Sequence, residues 1–216
     1  LEWAEEINSQ VQQNLKEYFP SSNPSTNPEN YITTYKIQCP TCGSEIPLVP
    51  KWWIRTASGS DDVVVKPSVE NGRVSYQCVI DPDEEFLSGF DPGEGPAKRG
   101  GDIEGIDCDV VTESEEVLKR FQNGEFEYEV YCVRTVDHSE KYSYRSPTED
   151  DQMAMKKAEN RINSDFELST LLSSPVPDGE KTHELRRYGF EEWRDMFSPR
   201  QLVTHYEYLN AFREVK

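Results

Sequence analysis

The sequence predicts an α+β fold, with small antiparallel sheets in its middle and helices at both ends. Two observations predict this. Apolar residues recur at three- and four-residue steps in 1–19 and in 146–163, the period of a helix face. Between them, 31–80 and 126–145 alternate in short runs broken by Gly43, Gly59 and Asn71-Gly72, the pattern of strands joined by tight turns.

Taken in order, Leu1, Ala4, Ile7, Val11, Leu15 and Tyr18 form the stripe of a first helix, which Pro20 ends. Residues 20–30 are rich in Pro, Ser, Thr and Asn and read as a linker. Strands are expected at 31–38, 46–54, 63–66 and 73–80. The stretch 81–105 holds six glycines and three prolines and reads as a long loop. Thr112 with Glu115 suggests a capping box for a short helix that turns Val117, Leu118 and Phe121 inward and stops at Asn123-Gly124. A strand at 126–136 is expected to pair with 141–145. Ser146-Pro147-Thr148-Glu149 reads as another capping box, with proline at the first helical position and Ala154, Ala158 and Ile162 facing inward. After a loop with Pro175, Pro177 and Gly179, a last helix starts at Ser198, where Phe197 and Leu202 are spaced as a hydrophobic staple. The expected organisation is a helix (1–19) packing on a neighbouring domain, a linker (20–30), a β-rich region (31–145) and a helical region (146–216). A start at Leu1 and a stop at Lys216, inside a predicted helix, suggest an internal piece of a longer protein.

Asp and Glu number 41 against 23 Lys and Arg, a net charge of -18. Nucleic-acid modules usually carry a basic face. The acidic residues here are spread along the chain, which suits a whole surface adapted to high salt, where charges are screened within about 3 Å at 1 M. On that reading net charge says little about partners. No apolar run approaches the roughly 20 residues of a membrane span, so no membrane partner is expected. Five cysteines, an odd number, suit a reducing cytoplasm better than a disulfide framework.

Cys39-Pro40-Thr41-Cys42-Gly43 has the form of a zinc knuckle: two thiolates grip one tetrahedral ion, and the glycine turns backbone N–H groups toward the sulfurs. A closed site needs four ligands, and no second Cys-x-x-Cys follows. Gly105 stands three residues before Cys108, where a cysteine would be expected. Three readings stay open: a turn that persists without metal, zinc on Cys39, Cys42, Cys108 and a substitute Asp or His, and, as the third, metal binding in trans or a redox role. Cys78 and Cys132 fall in predicted strands and read as core thiols. His138, His183 and His205 share no spacing with a carboxylate or serine, and no nucleophile elbow or phosphate loop occurs, so no catalytic residue is assigned. Aromatic and basic residues interleave around Trp52 and Trp53 and again around Arg187, Arg194 and Arg200. These five are the candidate DNA contacts, set against a reading as core rings and ion-paired arginines.

The stretch from Cys39 to Pro50, followed by Trp52 or Trp53, resembles the Cys-x-x-Cys-Gly-x-Glu-Ile-Pro segment of zinc-ribbon-containing adenine-specific DNA methylases. Lys98-Arg99-Gly100-Gly101 resembles the entry to that family's second knuckle, and 144–151 a further segment. The run from Arg187 to Leu202, with its Arg-Tyr-Gly, Trp and Phe-Ser-Pro-Arg-Gln-Leu, is similar to a family motif. The likeness covers most of the chain. It implies an insertion between the motif blocks of an N6-adenine methyltransferase, with S-adenosylmethionine bound only elsewhere in the parent and DNA and the remaining methylase domains as partners. The family's Asn- or Asp-Pro-Pro-Tyr is not present, so the chain by itself is expected to be non-catalytic. A DNA-contacting insertion is the first expectation, and a scaffold or interaction module the alternative.

Overall fold

The computed structural model describes residues 2–21, 25–56 and 61–214. Leu1, residues 22–24 of the expected linker, Gly59 and Lys216 lie outside the described residues. In chain order the elements are α1 (Glu2–Leu15), β1 (Thr26–Gln38), β2 (Glu45–Pro47), β3 (Trp53–Arg55), β4 (Val63–Glu70), β5 (Arg73–Ile80), α2 (Glu84–Leu87), β6 (Ile103–Glu104) and β7 (Val111–Thr112). They continue with α3 (Ser114–Gln122), β8 (Glu127–Asp137), β9 (Tyr142–Arg145), α4 (Glu149–Ser164), α5 (Phe166–Ser169), α6 (His183–Arg187), a 3-10 turn (Trp193–Met196) and α7 (Pro199–Glu214). The chain separates into a β-rich unit, Asn23–Pro147, and a helical unit of Leu1–Ser22 with Thr148–Lys216. This is the α+β class the sequence predicts.

In the β-rich unit an antiparallel sheet of order β2-β1-β8-β9 accompanies the sheet β3-β4-β5 and the small hairpin β6-β7. Thr26–Asn30, expected as linker, is the first part of β1 and pairs with the end of β8. Its polar composition hides the strand. Pro28 is tolerated because β2 covers only Lys36–Gln38, leaving an open edge, and a register shift follows directly between Pro28 and Asn30. The strand expected at 46–54 is split by Pro47 and Pro50. The backbone between β2 and β3 is instead fastened to the 81–105 stretch, with Trp52 N donating to Pro92 O (2.8 Å), Gly95 N to Pro50 O (3.0 Å) and Ala97 N to Val49 O (3.1 Å). Gly95 is needed there, because a Cβ would stand 2.0 Å from Val49 O. The expected long loop therefore carries α2, capped by Asp83, and β6.

Val49, Trp52, Val64, Val65, Val74, Tyr76 and Cys132 form the core of this unit. Val74 and Tyr76 are the inward members of an alternating β5, as their period predicts. Cys78 and Cys132 meet inside it with sulfurs 3.6 Å apart. Helix α3 closes over β1 and β8 through Phe121, whose ring lies 5.2 Å from Tyr35 and 4.7 Å from Phe126. Its N-terminus is not capped by Thr112, which is in β7; the Asp102 carboxylate accepts from Ser114 N instead (2.9 Å).

The helical unit packs Tyr18, Ala158, Ile162, Leu168, Leu202, Val203 and Tyr206 together, and α1 meets α7 through Ile7, Val11 and Ala211. Ala154, Ala158 and Ile162 are buried as their spacing predicts. The capping box of α4 is shifted by two residues: Thr148 and Asp151 cap each other's backbone, and Pro147 precedes the cap. Ser146 is not available as a cap, because its hydroxyl accepts from Cys78 N (2.9 Å).

Sequence reasoning passed over Lys36. It is buried at the end of β1, with Nζ 2.8 Å from Glu45 and 3.0 Å from Glu129, both largely shielded from solvent. Glu45 also accepts from Val74 N (2.9 Å), so the same carboxylate ties β2 to β5. Burial pushes the Glu129 carboxyl above its ordinary range, against the pull of Lys36, and Glu45 and Glu127 add repulsion. Lys36→Met is expected to cost about 3–5 kcal/mol, because it strands buried carboxylates. Glu129→Gln keeps a polar partner for Lys36 and leaves Glu45 on the ammonium, so it is expected to cost less, about 1 kcal/mol. Urea unfolding of the two variants checks the contrast; equal losses would refute it.

Candidate metal centre

Two hairpin tips build the centre. The first joins β1 to β2, where Gln38 pairs with Glu45 across the turn. Cys39 N donates to Ser44 O (2.7 Å) and Gly43 N to Cys39 O (3.0 Å). Gly43 takes φ +76°, a left-handed conformation that glycine adopts without strain. This aims Ser44 N–H at the Cys42 sulfur.

The second tip joins β6 to β7, where Glu104 pairs with Val111. Gly105 N donates to Val110 O (2.9 Å), the counterpart of the Cys39–Ser44 bond. Asp109 takes the left-handed position with φ +50°, and Val110 N–H is aimed at the Cys108 sulfur. Gly105 thus occupies the place that Cys39 holds in the first tip. A Cβ built on it would lie 2.8 Å from Cys108 Sγ.

The three thiols converge. Cys108 Sγ is 3.7 Å from Cys39 Sγ and 3.3 Å from Cys42 Sγ, and all three lie within 4.8 Å of one another. Zinc–sulfur bonds of about 2.3 Å in a tetrahedron put sulfurs roughly 3.8 Å apart, so the set fits a zinc ion. Cys39 is buried, Cys108 half-buried and Cys42 exposed. The Ser44 hydroxyl is shared between Cys42 and Asp107, whose carboxylate it reaches at 3.2 Å, linking the two tips.

Hydrogen bonds from the Ser44 hydroxyl and backbone, then from Cys108, hold the Cys42 thiol down to about 7. At Cys108 the Val110 N–H pulls downward, but its bonds with Cys42 and Cys39 and its desolvation outweigh that and push it up to about 11. One thiol is thus set to ionise first and its neighbour to supply the proton it shares.

Among the described residues, this is the one cluster of metal-ligating side chains, and no histidine or carboxylate joins it. His138 lies in the turn between β8 and β9, while His205 packs edge-on against Phe197 at 5.2 Å. The sequence picked out all three thiols; what it could not supply was the approach of Cys108 to Cys42 across 66 positions.

Of the candidate DNA contacts, Trp52 and Trp53 belong to the β-rich unit and Arg187, Arg194 and Arg200 to the helical unit. Trp52 is buried against Tyr76 in the β-rich core, and Trp53, half-buried, packs on the same core. Arg200 is buried in the helical unit, donating to the Asp151 backbone carbonyl and lying over the Phe19 ring at 5.7 Å. Trp52 and Arg200 thus have their side chains buried in packing contacts. Arg187 is exposed, 3.6 Å from Glu184 on the same helix, and Arg194 is half-buried in the 3-10 turn. No helix of the described residues is long and apolar enough to cross a membrane.

No family model, no curated protein and no solved structure matches this chain.

In metal-free protein, Cys42 is expected to be the thiol that iodoacetamide alkylates fastest, because the thiolate is the nucleophile and Cys42 is exposed. Its rate should rise through a midpoint near pH 7, below the ordinary thiol range, while Cys108 reacts only at far higher pH. Peptide mapping across pH checks the order; faster labelling of Cys108 at neutral pH would refute it.

Proposed function

We propose that this chain is a zinc-stapled, non-catalytic module of an adenine-specific DNA methyltransferase, and that its role in the parent enzyme is structural. The observation that carries the reading is the convergence of Cys39, Cys42 and Cys108 from two hairpin tips with matching hydrogen bonds. Zinc would be held by these thiolates, and its chemistry there is that of a cross-link: it joins two tips that are far apart in sequence. The methylase assignment is supported by the resemblance of the first knuckle and of the run from Arg187 to Leu202. S-adenosylmethionine and the reacting adenine belong to other parts of the parent.

A scaffold role is favoured over DNA contact because Trp52 and Arg200 spend their side chains on packing. The DNA reading keeps one specific support: Arg187 is exposed beside Tyr188, with Trp193 close in sequence and also exposed.

Purified protein is expected to carry about one zinc per chain and to lose thermal stability on chelation, because a ligand that binds only the folded state stabilises it. Cys39→Ser and Cys108→Ser should each abolish both effects. Zinc-free protein with an unchanged melting temperature would overturn the metal half. For the methylase half, the reading frame encoding Leu1 is expected to carry an Asn- or Asp-Pro-Pro-Tyr upstream, and a frame without one would overturn it. Charge reversal of Arg187 and Arg194 should leave duplex binding at low salt unchanged; a tenfold weakening, about 1.4 kcal/mol, would favour DNA contact instead.

A further inference from the structure

The second tip repeats the backbone frame of the first, with Cys108 in the place of Cys42 and Gly105 in the place of Cys39. Both are framed by an antiparallel pair, Gln38 with Glu45 and Glu104 with Val111. Both close with the bond from the first residue to the sixth, at 2.7 Å and 2.9 Å, and both have a left-handed residue after the second ligand position. Gly105 is buried and is not in the left-handed region, so its backbone does not require glycine. Its Cα–Cβ direction points at the Cys108 sulfur, at 2.8 Å. The backbone of a fourth thiolate ligand is present and the thiol is absent.

Zinc in such a site takes four ligands, and one that lacks a fourth protein donor keeps a position for exchange. Among the described residues no further Cys, His, Asp or Glu reaches all three sulfurs, and the nearest carboxylate along the tip, Asp107, accepts from Ser44. The donors already present are soft thiolates, and the exposure of Cys42 leaves one side of the cluster open to solvent.

We propose that the zinc held by Cys39, Cys42 and Cys108 binds a small exogenous thiolate or hydrosulfide as its fourth ligand, because the second tip has Gly105 where the first has Cys39 and supplies no donor. This rests on the zinc reading above and adds a ligand-binding role to the staple. The thiol joins as its anion, giving up one proton to solvent and displacing a lighter donor, with no redox change.

X-ray absorption at the zinc edge tests it on the full chain, with 2-mercaptoethanol as the probe. Wild type is expected to show three sulfurs at about 2.3 Å and one lighter donor, and to gain a fourth sulfur when the thiol is added. Gly105→Cys should show the full sulfur shell without added thiol and ignore it. The proposal is overturned if the wild-type shell ignores thiol. It is also overturned if Asp107→Ala changes the lighter donor, which would make that donor an internal carboxylate. Either result leaves zinc binding intact, so it is distinct from failure of the metal reading. Absence of zinc from wild type, with uptake restored by Gly105→Cys, overturns both.

Discussion

The buried Lys36 ammonium is the point on which the β-rich unit turns. It stands on β1 three residues before Cys39, and Glu45, its closest partner, directly follows the knuckle. Glu129 meets it from β8, and Glu45 reaches on to Val74 N in β5. One cluster thus fixes β1 against both neighbours and ties in the second sheet at the root of the first hairpin tip. Burying these charges is costly, and the arrangement stands because each carboxylate finds the same ammonium. Burial alone would lower the Lys36 pKa, yet the bonds to Glu45 and Glu129 raise it, so the amine stays protonated throughout the ordinary pH range.

The metal centre inherits its geometry from that anchor. Its first tip leaves a fixed sheet, while the second is carried on a two-residue-per-strand hairpin that could not persist alone. That hairpin is held by the fastening of the 81–105 stretch to the backbone between β2 and β3, and by α3 after it. The Ser44 hydroxyl and backbone N–H pull the Cys42 thiol down, and the bonds of Cys108 with Cys42 and Cys39 push Cys108 up, so the two are driven in opposite directions. A metal ion held there would replace those protons and couple the site to the folding of both tips.

Burial also sorts the basic and aromatic residues. An arginine in a sequence of net charge -18 reads naturally as an anion-binding group. Arg200 instead spans from α7 to the Asp151 carbonyl near the start of α4, and its guanidinium covers the Phe19 ring. The planar, weakly hydrated head group tolerates such a place better than an ammonium would. Trp52 likewise contributes ring area to the core, whereas Arg187 and Arg194 lie on or near the surface.

The sequence by itself determined the fold class, the strand at 73–80, the buried face of α4, the first knuckle and the gap at Gly105. These are legible because helix and strand periods, and a Cys-x-x-Cys turn, are relations between residues only a few positions apart. Tertiary structure decided the rest. Thr26–Asn30 is a strand because β8 pairs with it, and no local pattern in a Pro- and Asn-rich run announces a distant partner. Two capping patterns overlapped at 146–151, and the choice fell to Thr148 because Cys78 N had claimed Ser146. Cys108 became the third thiol of the site only when folding brought β6–β7 beside the first tip, since sequence separation does not encode the path between two hairpins.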